Sequence, residues 1–346
     1  LTRLIIVATM LLILGVISCS KENLNLNNLD ETIIVRHKNA DMPAYIHGNG
    51  SEKVFIIVLH DGPGGNGLKY RVNTIRTEIE KNNAVVYFDQ RGSGNSQGNY
   101  SDKEVSLDIM AEDVLALAKI IKSKYGNDSK LFLMGHTWGG AMGTAVLLKN
   151  QNHFSGWIDV DGSHDLKGEY NGNKISLKKI ANEQITLNNN VDYWTSILNL
   201  VNNVNPIYDI QDFYSLNRAA HEAEIILAED NIINASKFDF GIGTSSYNKL
   251  TALRNDSKIQ SIFLNKNRVY ETVSFTDKLS EITIPALVLW GKYDPIVPSS
   301  KAQEAFDNLG SIDKEIFVFE KSAHSPFLSE PTLFANKVIG FINKHK

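Results

Sequence analysis

Four short runs, VFIIVL from residue 54, AVVYF from 84, LFLMG from 131 and GWIDV from 156, are apolar along almost their whole length. A strand without polar alternation is buried on both faces, the condition of a parallel sheet covered by helices on each side. The spacers are long enough to hold those helices. The stretch SLDIMAEDVLALAKIIKSKYG (106–126) places Ile109, Val114, Leu117 and Ile121 near helical spacing, and a last helix follows Pro331. TIIVRHK from 32 and AYIHG from 44 read as an edge hairpin turned by NADMP, while ALVLWG from 286 and EIFVFEK from 315 complete eight strands. Residues 164–280 break this rhythm. They are rich in Asn, Lys and Ser, carry the helical stretch SLNRAAHEAEIILAED (215–230), and return to the sheet near Ile284. The expected architecture is therefore α/β: a mostly parallel eight-stranded sheet in two parts, 32–163 and 281–346, with a helical cap, 164–280, inserted before the seventh strand.

Within 346 residues, 42% are hydrophobic and the net charge is −4, which offers no basic footprint for nucleic acid and points to a small molecule or a peptide as partner. The N-terminus stands apart. Arg3 is followed by an apolar run from Leu4 to Ile17, shorter than the ~20 residues of a membrane span and of the length of a signal-peptide core. VISC resembles the lipobox of bacterial lipoproteins, and Cys19 is the only cysteine of the chain. That resemblance implies a leader over 1–18, lipidation at Cys19, a polar tether over 19–31, and a protein held on the membrane of a bacterial cell envelope, facing away from the cytoplasm.

Gly135-His136-Thr137-Trp138-Gly139 directly follows the LFLMG run and matches the strand–turn–helix pattern G-x-S-x-G with threonine at its centre. The chain order of that constellation is nucleophile, acid, histidine. Of nine histidines only His324 and His345 lie beyond residue 221, and His345 sits in a lysine-rich tail, so His324 is the candidate base. Asp294, stiffened by Pro295 and Pro298, is the candidate acid, with Asp161 as the alternative. A hydroxyl is a poor nucleophile until a base removes its proton, and the acid fixes the tautomer of that base. Acyl transfer also needs donors for the oxyanion, and HDGPGG (60–65) after the strand ending at Leu59 supplies them; the N–H groups of Gly62 and Trp138 are the candidates. HEAE lacks a second histidine and no paired zinc spacing occurs, so no metal is expected.

HDGPGG, YFDQRGSGNS (87–96) and GHTWGG (135–140), with the Asp294 and His324 segments, resemble the proline iminopeptidase family of α/β hydrolases. The likeness covers roughly residues 45–163 and 281–346. It implies the capped α/β-hydrolase fold, release of an N-terminal residue, often proline, from a peptide without a cofactor, and cap glutamates that grip the substrate's free amine. Glu222, Glu224 and Glu229 lie in one expected cap helix, and Glu222 and Glu229, seven apart, would share a face. Two positions depart from the family. Asp61 replaces a glycine and would either hold an ammonium or cap a turn, and Thr137 brings a β-branched side chain to a turn that disfavours it. The readings that follow are a threonine-dependent aminopeptidase, a hydrolase of small esters or amides, and a binding protein that retains the pocket without turnover. A hydroxyl at the turn argues against epoxide hydrolysis and dehalogenation, which need a carboxylate there.

Overall fold

The computed structural model describes residues 25–236 and 248–346. The expected leader, Cys19 and the tether as far as residue 24 lie outside them. Nine strands form one sheet among the described residues: β1 (Leu29–His37), β2 (Ala40–Gly48), β3 (Val54–Leu59), β4 (Ala84–Phe88), β5 (Gln97–Gly98), β6 (Lys130–His136), β7 (Gly156–Val160), β8 (Ala286–Gly291) and β9 (Lys314–Phe319). Their order is β1-β2-β4-β3-β6-β7-β8-β9, with β5 paired to β2. From β4 to β9 every pairing is parallel; β1 and β2 are antiparallel. The sheet is thus the expected eight strands plus the two-residue β5.

Alternate residues of the apolar runs feed two separate cores. Phe55, Ile57 and Leu59 of β3 pack on one face, with α1 (Leu107–Tyr125) and α2 (Trp138–Asn150), whereas Val54, Ile56 and Val58 pack on the other. Helix α1 is delimited by Ser106, whose side chain accepts from Ile109 N, and by Gly126 at φ 124°.

Between β7 and β8 run the cap helices: α3 (Leu166–Thr186), α4 (Val191–Asn203), α5 (Ile210–Glu229), α6 (Lys249–Gln260) and the short α7 (Val269–Thr272). Then come α8 (Ser300–Asn308), α9 (Pro326–Ser329) and the closing α10 (Pro331–His345). Among the described residues no helix is long and apolar enough to cross a membrane. Three boundaries move. β1 begins at Leu29, inside the expected tether. The hairpin turns at Lys38 and Asn39, φ 42° and 59°, rather than over NADMP, because two positive φ values match the twist of a tight hairpin and leave Ala40 to Pro43 in β2. α5 starts five residues before the expected stretch because Asp209 accepts from Gln211 N and Asp212 N and caps it there.

Parallel strands deliver their following loops to one edge of the sheet. Chain order reverses between β3 and β6, so the loops after these two strands flank the crevice in which α/β sheets bind ligands.

Candidate active site

Thr137 is the single residue between β6 and α2, at φ 49° and ψ −114°. The turn is this sharp because the backbone of α2 presses against the strands. A Cβ on Gly139 would lie 2.1 Å from the Leu59 carbonyl oxygen, and one on Gly135 would lie 2.2 Å from that of Gly139. The Thr137 carbonyl accepts from Gly140 N at 2.7 Å and Ser163 N at 3.0 Å, which pins the turn. Trp138 N–H is the first of the helix, where amide dipoles add up to partial positive charge.

His324 follows β9 and Asp294 follows β8, both buried. His324 Nδ1 is 2.8 Å from Asp294 Oδ2, while Asp294 Oδ1 accepts from Ile296 N at 2.8 Å and Val297 N at 3.0 Å. Burial lowers the imidazole pKa of His324 to about 3. The contact with Asp294 is therefore a hydrogen bond from a neutral ring, whose Nδ1 donates and whose Nε2 remains basic. Burial raises Asp294 to about 7 against the pull of the two backbone donors. Asp161, the alternative acid, follows β7, and its carboxylate, that of Asp294 and the His324 ring have donor atoms within 4.8 Å of one another.

The HDGPGG loop is held from beneath by the DQRGSG segment. Asp89 accepts from Gly67 N at 2.9 Å and Asn95 N at 2.7 Å. Gln90 donates to the His60 carbonyl at 3.1 Å and accepts from Trp138 Nε1 at 3.1 Å, joining the loop to the first residue of α2. A second chain runs from Asp61 N–H to the Tyr70 hydroxyl (3.0 Å), on to His136 Nδ1 (2.6 Å), and from His136 Nε2 to the His324 carbonyl (2.7 Å). A carbonyl only accepts, so His136 Nε2 carries the proton and Nδ1 takes that of Tyr70. Burial keeps this ring neutral, lowering it to about 3.

Asp61, Gly62, Thr137 and His324 line one cavity of about 830 Å³ whose roof comes from the cap. Asp61 does not stand open for an ammonium, since its Oδ2 accepts from Lys69 Nζ at 2.6 Å. Burial opposes its charge, but the ammonium of Lys69 outweighs it and holds the carboxyl at about 2. Its Oδ1 is buried without a partner among the described residues.

A profile of the serine aminopeptidase (S33) family matches residues 56–332. The chain belongs to this family. It is 24% identical over 312 residues to the "Probable aminopeptidase YbaC" of Bacillus subtilis (strain 168), covering 87% of this chain and 92% of that protein. Against a proline iminopeptidase of Heyndrickxia coagulans it is 24% identical over 304 residues, covering 83% and 90%. A solved proline iminopeptidase-related protein from Thermus thermophilus superposes with a TM-score of 0.61 at 18% identity, over 92% of this chain and 98% of the other. At that identity the likeness is one of fold, and the fold is that of an α/β hydrolase.

The S33 family takes its title from serine, and this member carries threonine at the turn. Around it, the structure brings together Thr137, His324, Asp294, Gly62 and Trp138. It does not bring in Glu222 or Glu229: both are exposed and neither lines the cavity. Seven-residue spacing does put them on one face of α5, but the face that packs is Phe213, Leu216, Ala220, Ala223 and Leu227. Glu224 flanks that stripe, and its Oε1 accepts from His324 N–H at 2.7 Å, with its pKa raised to about 8 by burial and by Asp294. Glu169, in the first turn of α3, was not legible as a site residue. It lines the cavity, its Oε1 is buried without a partner among the described residues, and burial raises it to about 8. The signal that could have found both is the apolar stripe of each cap helix, beside which a glutamate must lie to face inward.

Proposed function

We propose that the chain is a threonine-dependent hydrolase that releases the N-terminal residue of short peptides, proline among them. The observation that carries this reading is that Thr137 and His324 line one cap-roofed cavity while Asp294 holds His324 at 2.8 Å. Thr137 Oγ1 attacks the carbonyl carbon as His324 Nε2 takes its proton, and Asp294 keeps the ring in the required tautomer. Negative charge on the carbonyl oxygen meets the N–H groups of Gly62 and Trp138. His324 then returns the proton to the leaving amine, and water, deprotonated by the same ring, cleaves the acyl-threonine ester. Glu169 gives a free amino terminus its place, because an ammonium beside it would supply the countercharge that its buried carboxyl lacks. The β-branch of Thr137 favours a second reading, a binding protein without turnover.

The test compares wild type, Thr137→Ser and Thr137→Ala on proline and alanine arylamides and on p-nitrophenyl esters. Turnover in wild type that is lost in Thr137→Ala is the expected result, by about a thousandfold or more in kcat. A wild type as inert as Thr137→Ala overturns it, and turnover gained only in Thr137→Ser identifies threonine as the brake. Esters cleaved without arylamides would make the chain an esterase.

The lone Cys19 behind an apolar leader supports a second element of the proposal, that the protein is lipid-anchored in the cell envelope. Cys19→Ser is expected to move it from the membrane fraction to the soluble one; unchanged retention would contradict the anchor.

A further inference from the structure

Asp161 lost the assignment of acid to Asp294, yet it is buried as completely as the residue that won. It follows β7 at φ 45°, its N–H donates to the Leu289 carbonyl at 2.9 Å, and its Oδ1 accepts from Gly291 N at 2.8 Å. A non-glycine residue in the left-handed region is uncommon and is sustained only where its surroundings fix it. Here the two hydrogen bonds tie it to β8, the strand from whose end Asp294 departs. Its Oδ2 is buried with no partner among the described residues other than what lies beside it, and beside it are Asp294 and His324, with donor atoms of all three within 4.8 Å. A bare carboxylate oxygen has no reason to face another carboxylate in a dry site, whereas a carboxylic acid does.

We propose that Asp161 is a positioning residue of the triad, sharing one proton with Asp294 so that the two carboxyls together carry a single negative charge toward His324. Burial first and the neighbouring Asp294 second push Asp161 well above the carboxylate range. The titratable groups that face the pair are His324 and His136, Asp159 from β7, Tyr70 from the loop below, and Glu169, His221 and Glu224 from the cap. The acids among these favour retention of the shared proton. Its effect is mechanical as well as electrostatic. Asp294 Oδ1 is fixed by two backbone donors, and a third donor on the other side keeps the carboxylate plane from rotating away from Nδ1.

This inference rests on the hydrolase reading for its kinetic arm only. Asp161→Asn keeps the acceptor for Gly291 N and a donor for Asp294, and asparagine tolerates the left-handed backbone. Asp161→Gly suits the same backbone and removes both groups. Infrared spectra at pH 8 are taken in a Glu169→Gln, Glu224→Gln background, which removes the two other buried carboxyls raised to about 8; a buried protonated-carboxyl band is expected there that either substitution at Asp161 abolishes, whether or not any substrate is turned over. On the substrate found for wild type, Asp161→Gly is expected to lose about tenfold or more in kcat with KM little changed, and its acid limb moves to higher pH because Asp294 and His324 become more basic. Asp161→Asn restores turnover to within about threefold with the limb in its original place. The inference is overturned if the band survives in Asp161→Asn, if Asp161→Gly keeps the wild-type pH profile, or if Asp161→Asn fails as fully as Asp294→Asn. A divalent metal bound in stoichiometric amount by wild type and lost in Asp161→Asn would overturn it too, by making these atoms ligands.

Discussion

Thr137 sits where its own side chain is least welcome. A β-branched residue at φ 49° and ψ −114° is strained by about 1–3 kcal/mol, and glycine, which adopts that backbone freely, loses only ~0.5–1 kcal/mol to its greater unfolded freedom. Thr137→Gly is therefore expected to stabilise the fold by about 1 kcal/mol while removing the hydroxyl; a urea midpoint at or below that of wild type would show that the turn is not strained. The strain lies at a hydroxyl-bearing residue that lines the cavity, and the surrounding hydrogen bonds from Gly140 and Ser163 hold it there. The motif GHTWGG could be read without the structure, since glycines at fixed offsets report close backbone approach. Asp61 could not. Whether an anion in that loop meets substrate or a cation depends on Lys69, eight residues on, and nothing in the spacing of HDGPGGNGLK says that the lysine folds back on it.

At the scale of elements, the DQRGSG segment acts as a brace. Arg91 is wholly buried, forks onto Asp113 of α1 at 2.8 and 2.7 Å, and donates to the carbonyls of His37 and Lys38 at the hairpin turn. Asp113→Ala is expected to cost about 3–5 kcal/mol in chemical denaturation, because it leaves a guanidinium buried without its counterion; a loss below ~1 kcal/mol would mean that the carbonyls alone satisfy Arg91. The apolar runs announced β3, β4, β6 and β7 to within a residue or so, since burial on both faces writes itself into every position. In the cap, a seven-residue spacing says that two glutamates share a helix face without saying that the face borders the buried stripe, and Glu222 and Glu229 were the wrong pair for that reason. The two residues of β5 are too few to carry any period at all.

For the molecule as a whole, the buried groups around the cavity set opposing responses to pH. His60, His136 and His324 are lowered by burial to about 4, 3 and 3, so the unfolded chain binds more protons than the folded one below the ordinary imidazole value of about 6.5. Their contribution is complete above that value and is lost as pH falls toward 4 and then 3. Glu169 and Glu224 are raised by burial to about 8, so their contribution is complete below the ordinary value of about 4.5 and is lost as pH rises through 8. Stability is expected to peak broadly between about pH 5 and 6.5, and the double variant Glu169→Gln, Glu224→Gln should flatten the alkaline side of urea midpoints measured across pH; an unchanged alkaline slope would assign it to other groups. Glu224 has a further role in that balance. It belongs to the roof, and the backbone N–H it holds is that of His324, the base of the proposed triad. Through that one hydrogen bond the cap and the loop after β9 are fastened to each other at the edge of the cavity, so the placement of α5 and the placement of the His324 ring are set together.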